Sequence, residues 1–236
     1  MMQTVGFNRF IKREWLDFTA FLACREKDEK IIRKNLNEYL EKEAKAEITR
    51  QKTLAELLRI WVSVPASHEN LKQKALDLFE KVPEDEKMLL HWSMIMLAFP
   101  IFIDVASSLG KIFSLQDRVS LKILEKRIFE KWGERSTVKY ALPKIVGSMV
   151  EWGVITRTKV GEYAKARAIE IKNADCKLFF IHCYIKALER DYLKFIEANN
   201  LSAAFPFKLN LGLDDFNNSN TLSLSRMGSD VVIIAR

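Results

Sequence analysis

The amino-acid sequence predicts a mainly α fold with a short β-containing tail, and three observations carry this prediction. Apolar residues recur at helical spacing over most of the 236 residues. Only 8 glycines and 5 prolines occur, which is few for an all-β sandwich. The apolar spacing changes to simple alternation only near residues 154–171, and the chain again looks extended after residue 199. A chain of this length allows one large domain or two small ones.

The N-terminal part of the chain predicts a bundle of helices. The first predicted helix carries an apolar stripe from Phe7 to Leu22. Three more helices follow, with apolar stripes at 31–40, 48–61 and 71–79. We interpret these stripes as the faces that pack into the core.

The stretch from Met88 to Gly110 is mostly apolar and is long enough to span a bilayer. Pro100 and Asp104 lie well inside it, and a carboxylate within a membrane is energetically expensive. We therefore predict two buried helices that meet near Phe99–Pro100, rather than a membrane span.

The next region predicts two helices joined by a short turn. Ser114 is placed to cap a helix from Leu115 to about Lys131. Ser136 is placed to cap a helix from Thr137 to Trp152, which Gly153 ends. Pro143 falls inside the second helix, so we expect that helix to be kinked there or to begin nearer Leu142.

A β-hairpin follows the two helices. Strands are predicted at 154–160 and 164–171, with a turn at 161–163. We then expect a long helix from Ala174 to about Ala198, and extended segments at 205–213 and 221–235.

Helix, short turn, helix and hairpin, in this order, resemble a winged helix-turn-helix over about residues 100–172. The resemblance rests on the order of the elements and on the stretches 134–137 and 149–155. It implies that the second helix enters the major groove of DNA and that the hairpin, the wing, contacts an adjacent groove or the backbone. The sequence then divides into an N-terminal helical domain at 1–98, a winged-helix-like domain at 99–173, and a C-terminal helix with a β-like tail at 174–236.

The distribution of charge favours the same segment. The formal net charge is +7, and residues 121–180 alone carry 13 Lys and Arg against 7 Asp and Glu. Such a concentrated excess is typical of a protein that binds a polyanion. Basic and short side chains on the outer face of a helix can reach phosphates and base edges. The predicted DNA-contacting residues are Arg135, Lys139, Tyr140, Lys144, Ser148, Arg157, Lys159, Lys165 and Arg167.

In the predicted hairpin, alternation places Arg157 and Lys159 on one face of the first strand. It places Lys165 and Arg167 on one face of the second strand. If the two faces coincide, four cations form one patch. The alternative is an edge hairpin whose lysines and arginines only prevent aggregation.

A second resemblance spans about residues 10–155. It rests on the stretch 48–59, on Leu90–Trp92 and on the order of Ser136–Thr137 and Gly153–Ile155. This arrangement is similar to BrxA, the accessory protein family of BREX phage-defence systems. The resemblance implies a helical protein that binds DNA and is not an enzyme.

Few residues could carry catalysis or hold a metal. Cys176 and Cys183, with His182 beside the second, do not have the spacing of a compact zinc site. Cys24 has no histidine nearby in the sequence, and no glycine-rich phosphate loop occurs. We expect core cysteines, a hydrogen-bonded core histidine at His91, no metal, no cofactor and no enzymatic activity.

The sequence therefore predicts a double-stranded DNA-binding protein that acts as a phage-defence accessory or a regulator, alone or with other proteins of such a complex. The alternative is a protein-interaction scaffold in which the winged helix docks a partner protein. No apolar signal core begins the chain and only 3 cysteines occur, which favours the cytoplasm. For Asp104 we expect a partner such as His91 or Arg118, or exposure at a helix end.

Overall fold

The computed structural model describes residues 5–235, which are mainly helical with short strands in three small sheets. The helices are α1 (Arg13–Arg25), α2 (Glu29–Glu41), α3 (Glu47–Trp61), α4 (Glu69–Phe79), α5 (Lys87–Ala98), α6 (Pro100–Phe113), α7 (Leu121–Trp132), α8 (Ser136–Glu151), α9 (Ala174–Ala187) and α10 (Phe195–Ala198). The strands are β1 (Arg118–Ser120), β2 (Ile155–Lys159), β3 (Glu162–Lys165), β4 (Ile169–Glu170), β5 (Tyr192–Lys194), β6 (Phe207–Lys208), β7 (Leu222–Met227) and β8 (Asp230–Ala235). Short 3-10 helices lie at Ala66–His68, Ser202–Ala204 and Leu213–Phe216.

The buried side chains form one continuous hydrophobic cluster that runs through all three predicted segments. Helix α5 is buried along nearly its whole length and packs against α3, α4, α6 and α9. The predicted pair of buried helices that meet at Phe99–Pro100 is confirmed, because α5 ends at Ala98 and α6 begins at Pro100. Proline suits a first helical position, where its missing N–H removes no hydrogen bond. Within residues 5–235, no helix is long and apolar enough to cross a membrane.

The N-terminal bundle matches the prediction except at its start. Helices α2, α3 and α4 contain the predicted apolar stripes, but the first helix begins at Arg13 rather than near Phe7. Residues 5–12 form an extended segment, here called the strap. Its Phe7 and Ile11 are fully buried. The strap is not helical because several of its backbone N–H groups donate to side chains of other elements, Glu56 and Ser148 among them.

Of the two helices before the hairpin, the first begins later than predicted, whereas the second lies within one residue of its predicted bounds. Helix α6 extends to Phe113, so Ser114 follows a helix end rather than capping a helix start. The strand β1 intervenes, and α7 begins at Leu121, where the Ser120 hydroxyl accepts a hydrogen bond from the Ile123 N–H (3.3 Å). Helix α8 begins at Ser136 itself, without a side-chain cap. The helix is continuous through Pro143.

The C-terminal region is more broken than predicted. The expected helix from Ala174 to about Ala198 is wrong in its second half, because α9 ends at Ala187 and the strand β5 and short α10 follow. The predicted segment 221–235 is a hairpin, β7–β8, which turns at Gly228. The second strand of the first hairpin is also shorter than predicted, because β3 ends at Lys165 and β4 pairs in parallel with β6.

Two stretches of the chain repeat one order of elements. In the first unit, residues 100–165, the order is α6, β1, α7, α8, β2, β3. In the second unit, residues 174–235, a 14-residue helix is again followed by a three-residue strand, a helix and a closing hairpin. The elements α9, β5 and α10 begin at residues 174, 192 and 195, each 74 residues after its counterpart at 100, 118 and 121.

The sheets of the two units share strand order, and their central rows pair in the same way, although β2 has a register shift after Arg157 that β7 lacks. The order is β1-β3-β2 in the first unit and β5-β8-β7 in the second, antiparallel throughout. In the first unit, Val119 pairs with Tyr163, which pairs with Arg157. The matching row of the second unit consists of Leu193, Ile233 and Leu224. The middle residue of the short strand is buried in both units. The two sheets therefore pack against the core at the same position with different apolar residues.

Candidate nucleic-acid interface

Helix α8 has the two faces that the sequence predicts. Its inner face packs into the core, with the side chains of Val138, Leu142, Ile145, Val146 and Met149 buried. On the outer face, Lys139, Tyr140 and Lys144 are exposed, and the Tyr140 side chain has a relative exposure of 75%. This amphipathic arrangement holds the helix by one side and leaves two cations and a phenol free to contact a ligand.

Ser148 is not part of the exposed face, and this prediction is wrong. Its side chain is fully buried, its hydroxyl accepts from the Ile11 N–H (2.8 Å), and it donates to the Lys144 carbonyl (2.9 Å). The strap continues across this end of α8, where the Trp152 indole N–H donates to the Ile11 carbonyl (2.9 Å). The accessible face of α8 is therefore its N-terminal half.

Arg135 lies at the turn between α7 and α8 and is half-buried. Its Nε donates to the Trp132 carbonyl (3.0 Å), and its guanidinium lies over the Trp132 ring, 5.6 Å from the centroid. These contacts fix the entry of the chain into α8.

The predicted patch of four cations on the hairpin is only partly formed. Tyr163 pairs with Arg157, and Lys165 lies two residues further along β3, so Arg157 and Lys165 share one face of the sheet. The Arg157 guanidinium lies 6.0 Å from the centre of the buried Tyr163 ring. Lys159 lies beyond a register shift, and Arg167 lies beyond the end of β3. All four side chains are exposed, but they do not form one row.

Two of these lysines are ion-paired with neighbouring carboxylates. Lys159 Nζ lies 3.1 Å from Glu162 Oε1, and Lys165 Nζ lies 2.5 Å from Asp117 Oδ1. The hydrogen bond from Lys165 lowers the pKa of Asp117 below its ordinary value. Exposed pairs of this kind contribute little stability, so a phosphate can replace the carboxylate at small cost.

Asp104 has partners other than those predicted. Its two carboxylate oxygens accept from Lys131 Nζ and from the Trp132 indole N–H, both at 2.7 Å. His91 and Arg118 are not among its contacts. Asp104 therefore braces α6 against the end of α7, which in turn sets where α8 begins.

The histidine and cysteine predictions for the core are confirmed. His91 is fully buried, accepts from the Trp61 indole N–H at Nδ1 (3.1 Å) and contacts Asp17 Oδ1 through Nε2 (2.8 Å). Burial lowers the pKa of His91 despite the nearby Asp17 carboxylate. Cys176 and Cys183 are also fully buried, and burial raises the pKa of both thiols, that of Cys176 to about 12.

The comparisons with known proteins return nothing that names a family: no family model, no curated protein and no solved structure matches the chain. The resemblances to winged helices and to BrxA therefore stay predictions. Within residues 5–235, no group of three or more His, Cys, Asp or Glu side chains is placed to hold a metal ion.

Three cations outside the predicted set lie beside the exposed face of α8. Arg9 is on the strap, and Lys52 and Arg59 are on α3; all three line a groove that also contains Tyr140 and Lys144. The sequence gives no local signal for this cluster, because residues 9, 52, 59 and 144 meet only when the strap crosses between α3 and α8.

Proposed function

We propose that the protein binds double-stranded DNA without catalysing a reaction, through the first unit. Helix α8 lies in the major groove, and the β2–β3 hairpin contacts the neighbouring backbone as a wing. The order of elements in residues 100–165, with three strands in the order β1-β3-β2, supports this assignment because it is the order expected of a winged helix-turn-helix.

The observation that carries the proposal is the exposed N-terminal half of α8. A helix fits the major groove, and a helix held from behind by its apolar face presents its other face rigidly. Within the part of the chain that the structure describes, Lys139 and Lys144 have no carboxylate within 4 Å. Both charges are therefore available for phosphates, and Tyr140 between them can contact a base or a sugar.

The hairpin adds cations at the side of α8. Arg157 and Lys165 share one face, and a wing needs only a few such contacts because each phosphate neutralised releases bound counterions from the DNA. The resemblance to BrxA extends the proposal to a role as a phage-defence accessory or a regulator.

A second candidate function, protein docking by the same unit, is favoured by one observation. The outer face of α7 carries Ile123, which is 49% exposed, in an open groove of about 630 Å³ with Phe129. Val160, at the tip of the hairpin, has a relative exposure of 97%. Apolar side chains at these places suit a protein partner better than a phosphate.

A charge-reversal experiment on the hairpin separates the two functions. The variant changes Arg157, Lys159, Lys165 and Arg167 to Glu, and duplex binding is measured at physiological salt together with thermal unfolding. The control changes four exposed lysines of the N-terminal region that have no ion pair within the described residues, Lys27, Lys30, Lys34 and Lys45, to Glu. Net charge falls equally in the two proteins, so a non-specific charge effect appears in both.

We expect the hairpin variant to lose duplex binding while its melting temperature stays near that of the wild type, since surface changes each alter stability by about 0.5 kcal/mol or less. The control should keep most of its affinity. A folded hairpin variant that binds duplex as the wild type does would remove the wing assignment. The protein-docking function would be favoured if the wild type binds DNA only weakly and the hairpin variant loses a protein partner that the wild type binds.

A further inference from the structure

The strap, α3 and the outer face of α8 line an open groove of about 610 Å³, here called the strap groove. Its walls carry four cations, Arg9 from the strap, Lys52 and Arg59 from α3, and Lys144 from α8. Tyr140 lies at the rim on the α8 side. The groove thus continues the surface that α8 offers to DNA.

The groove is built by specific contacts of the strap. The buried Glu56 carboxylate accepts from the backbone N–H groups of Asn8 (2.8 Å) and Arg9 (3.2 Å). At Gly6 the backbone has a φ of +72°, and a Cβ there would lie 2.9 Å from the Phe99 ring. Only glycine combines that conformation with such a close approach. The strap is therefore held on α3 by the hydrogen bonds of Glu56, and Gly6 lets it lie close to Phe99 between α5 and α6.

The charge of the groove is unbalanced in favour of cations. Glu56 is the single acidic side chain among its lining residues, and burial raises the pKa of Glu56 to about 7 although the two backbone N–H groups lower it. Within residues 5–235, Arg9, Lys52 and Arg59 have no carboxylate within 4 Å. The Arg9 Nε is buried and has no hydrogen-bond partner in that range.

We propose that the strap groove binds phosphates of the DNA strand that flanks the major groove occupied by α8. This inference rests on the proposed function and names the surface that holds the backbone. Lys52, Arg59 and Lys144 line the same groove, so a strand that contacts Lys144 also runs beside the two cations of α3. The guanidinium groups of Arg9 and Arg59 match a phosphate better than any neutral ligand, because their fork of donors pairs with two oxygens.

The test is a salt titration with the full chain and a short duplex of mixed sequence. The groove variant is Lys52→Gln/Arg59→Gln, and the matched control is Lys30→Gln/Lys34→Gln on α2, where both lysines are exposed. Because Arg59 lies 4.9 Å from the centre of the Phe99 ring, a second variant, Lys52→Gln alone, tests the groove without that contact.

We expect the log–log salt slope of the double variant to be less steep by about 2, and that of Lys52→Gln by about 1, because each phosphate contact contributes roughly 0.9. The control should keep the wild-type slope. A wild-type protein that binds duplex while both groove variants keep its slope would overturn the groove and leave the proposed function standing. A wild-type protein that binds no duplex at low salt would overturn both.

Discussion

The two units share one arrangement of a helix, a short strand and a closing hairpin, here called the frame, but they differ in the segment between the short strand and the hairpin. Both have a 14-residue helix, a three-residue strand and a closing hairpin whose central row pairs in the same way. Between the short strand and the hairpin, the first unit has two long helices, α7 and α8, whereas the second has the four-residue α10, two short 3-10 helices and the two-residue strand β6. The frame therefore also occurs without the helix that we assign to the major groove.

The first unit, which has the added helices, also carries the larger positive charge. Residues 100–165 carry twelve Lys and Arg against seven Asp and Glu, whereas residues 174–235 carry six against seven. Electrostatic attraction supplies most of non-specific DNA affinity, so the second unit has little to offer a polyanion. The shared arrangement of elements alone therefore predicts no function. The proposal of DNA binding depends on α7, α8 and their cations.

The units meet at Gly110, where the largest change in stability is expected. A Cβ on Gly110 would lie 2.1 Å from the carbonyl oxygen of Ser202, which belongs to the second unit. We expect Gly110→Ala to reduce the free energy of unfolding by about 2–3 kcal/mol, since the backbone must move and the gain in helix propensity is only about 1 kcal/mol. Chemical denaturation measures it.

The control for Gly110 is Gly147→Ala in α8. A Cβ there would meet the Phe10 ring at 3.4 Å, a tolerable contact, so stability should stay unchanged or rise by up to about 1 kcal/mol. Equal destabilisation by the two substitutions would mean that the close approach between the units does not determine stability.

Charge reversal on α8 sharpens the comparison for binding. We expect Lys139→Glu/Lys144→Glu to weaken duplex binding at physiological salt about 30-fold, or about 2 kcal/mol, because two phosphate contacts are lost. The matched variant in the second unit is Lys186→Glu/Lys208→Glu, which changes two exposed lysines. It should cost much less affinity. Equal losses in a fluorescence-anisotropy titration would show that the units do not differ as proposed.

Asp104 marks a smaller difference between the units. At the position 74 residues later, the second unit has Leu178, which is buried. We expect Asp104→Leu to lower the free energy of unfolding by about 1–2 kcal/mol, because the Trp132 indole N–H loses its acceptor. Asp104→Asn keeps an acceptor and should cost about 0.5 kcal/mol.

Duplex affinity is the check on the Asp104 interpretation. Both variants should bind DNA within a small factor of the wild type once folded, because Asp104 braces α6 and α7 and lies outside the exposed face of α8. An equally stable Asp104→Leu protein without DNA binding would instead make Asp104 part of the functional site.

The sequence predicts those features that depend on local periodicity. The stripes of α2, α3 and α4, the break at Phe99–Pro100 and the inner face of α8 are all readable from apolar spacing. The structure differs from the prediction where contacts between residues distant in sequence determine the burial of a side chain. Ser148 lies on the polar side of α8 in sequence, but the strap covers it and uses its hydroxyl as an acceptor.

The repeat and the strap groove lie beyond local patterns. The two units share strand order but little sequence, because burial at Val119 and Leu193 needs only an apolar side chain. The strap groove joins residues that are more than a hundred positions apart, and no spacing rule connects Arg9 with Lys144. Such features follow from tertiary packing.

The salt dependence of duplex binding by the wild-type chain tests the central claim most directly. With four to six phosphate contacts from α8, the hairpin and the groove, the log–log slope should be about −4 to −5 between low and physiological ionic strength. A mobility-shift or anisotropy titration with an unrelated duplex measures it. Binding that does not change with salt, or no binding to duplex at low salt, would contradict the assignment of the first unit as a DNA-binding surface.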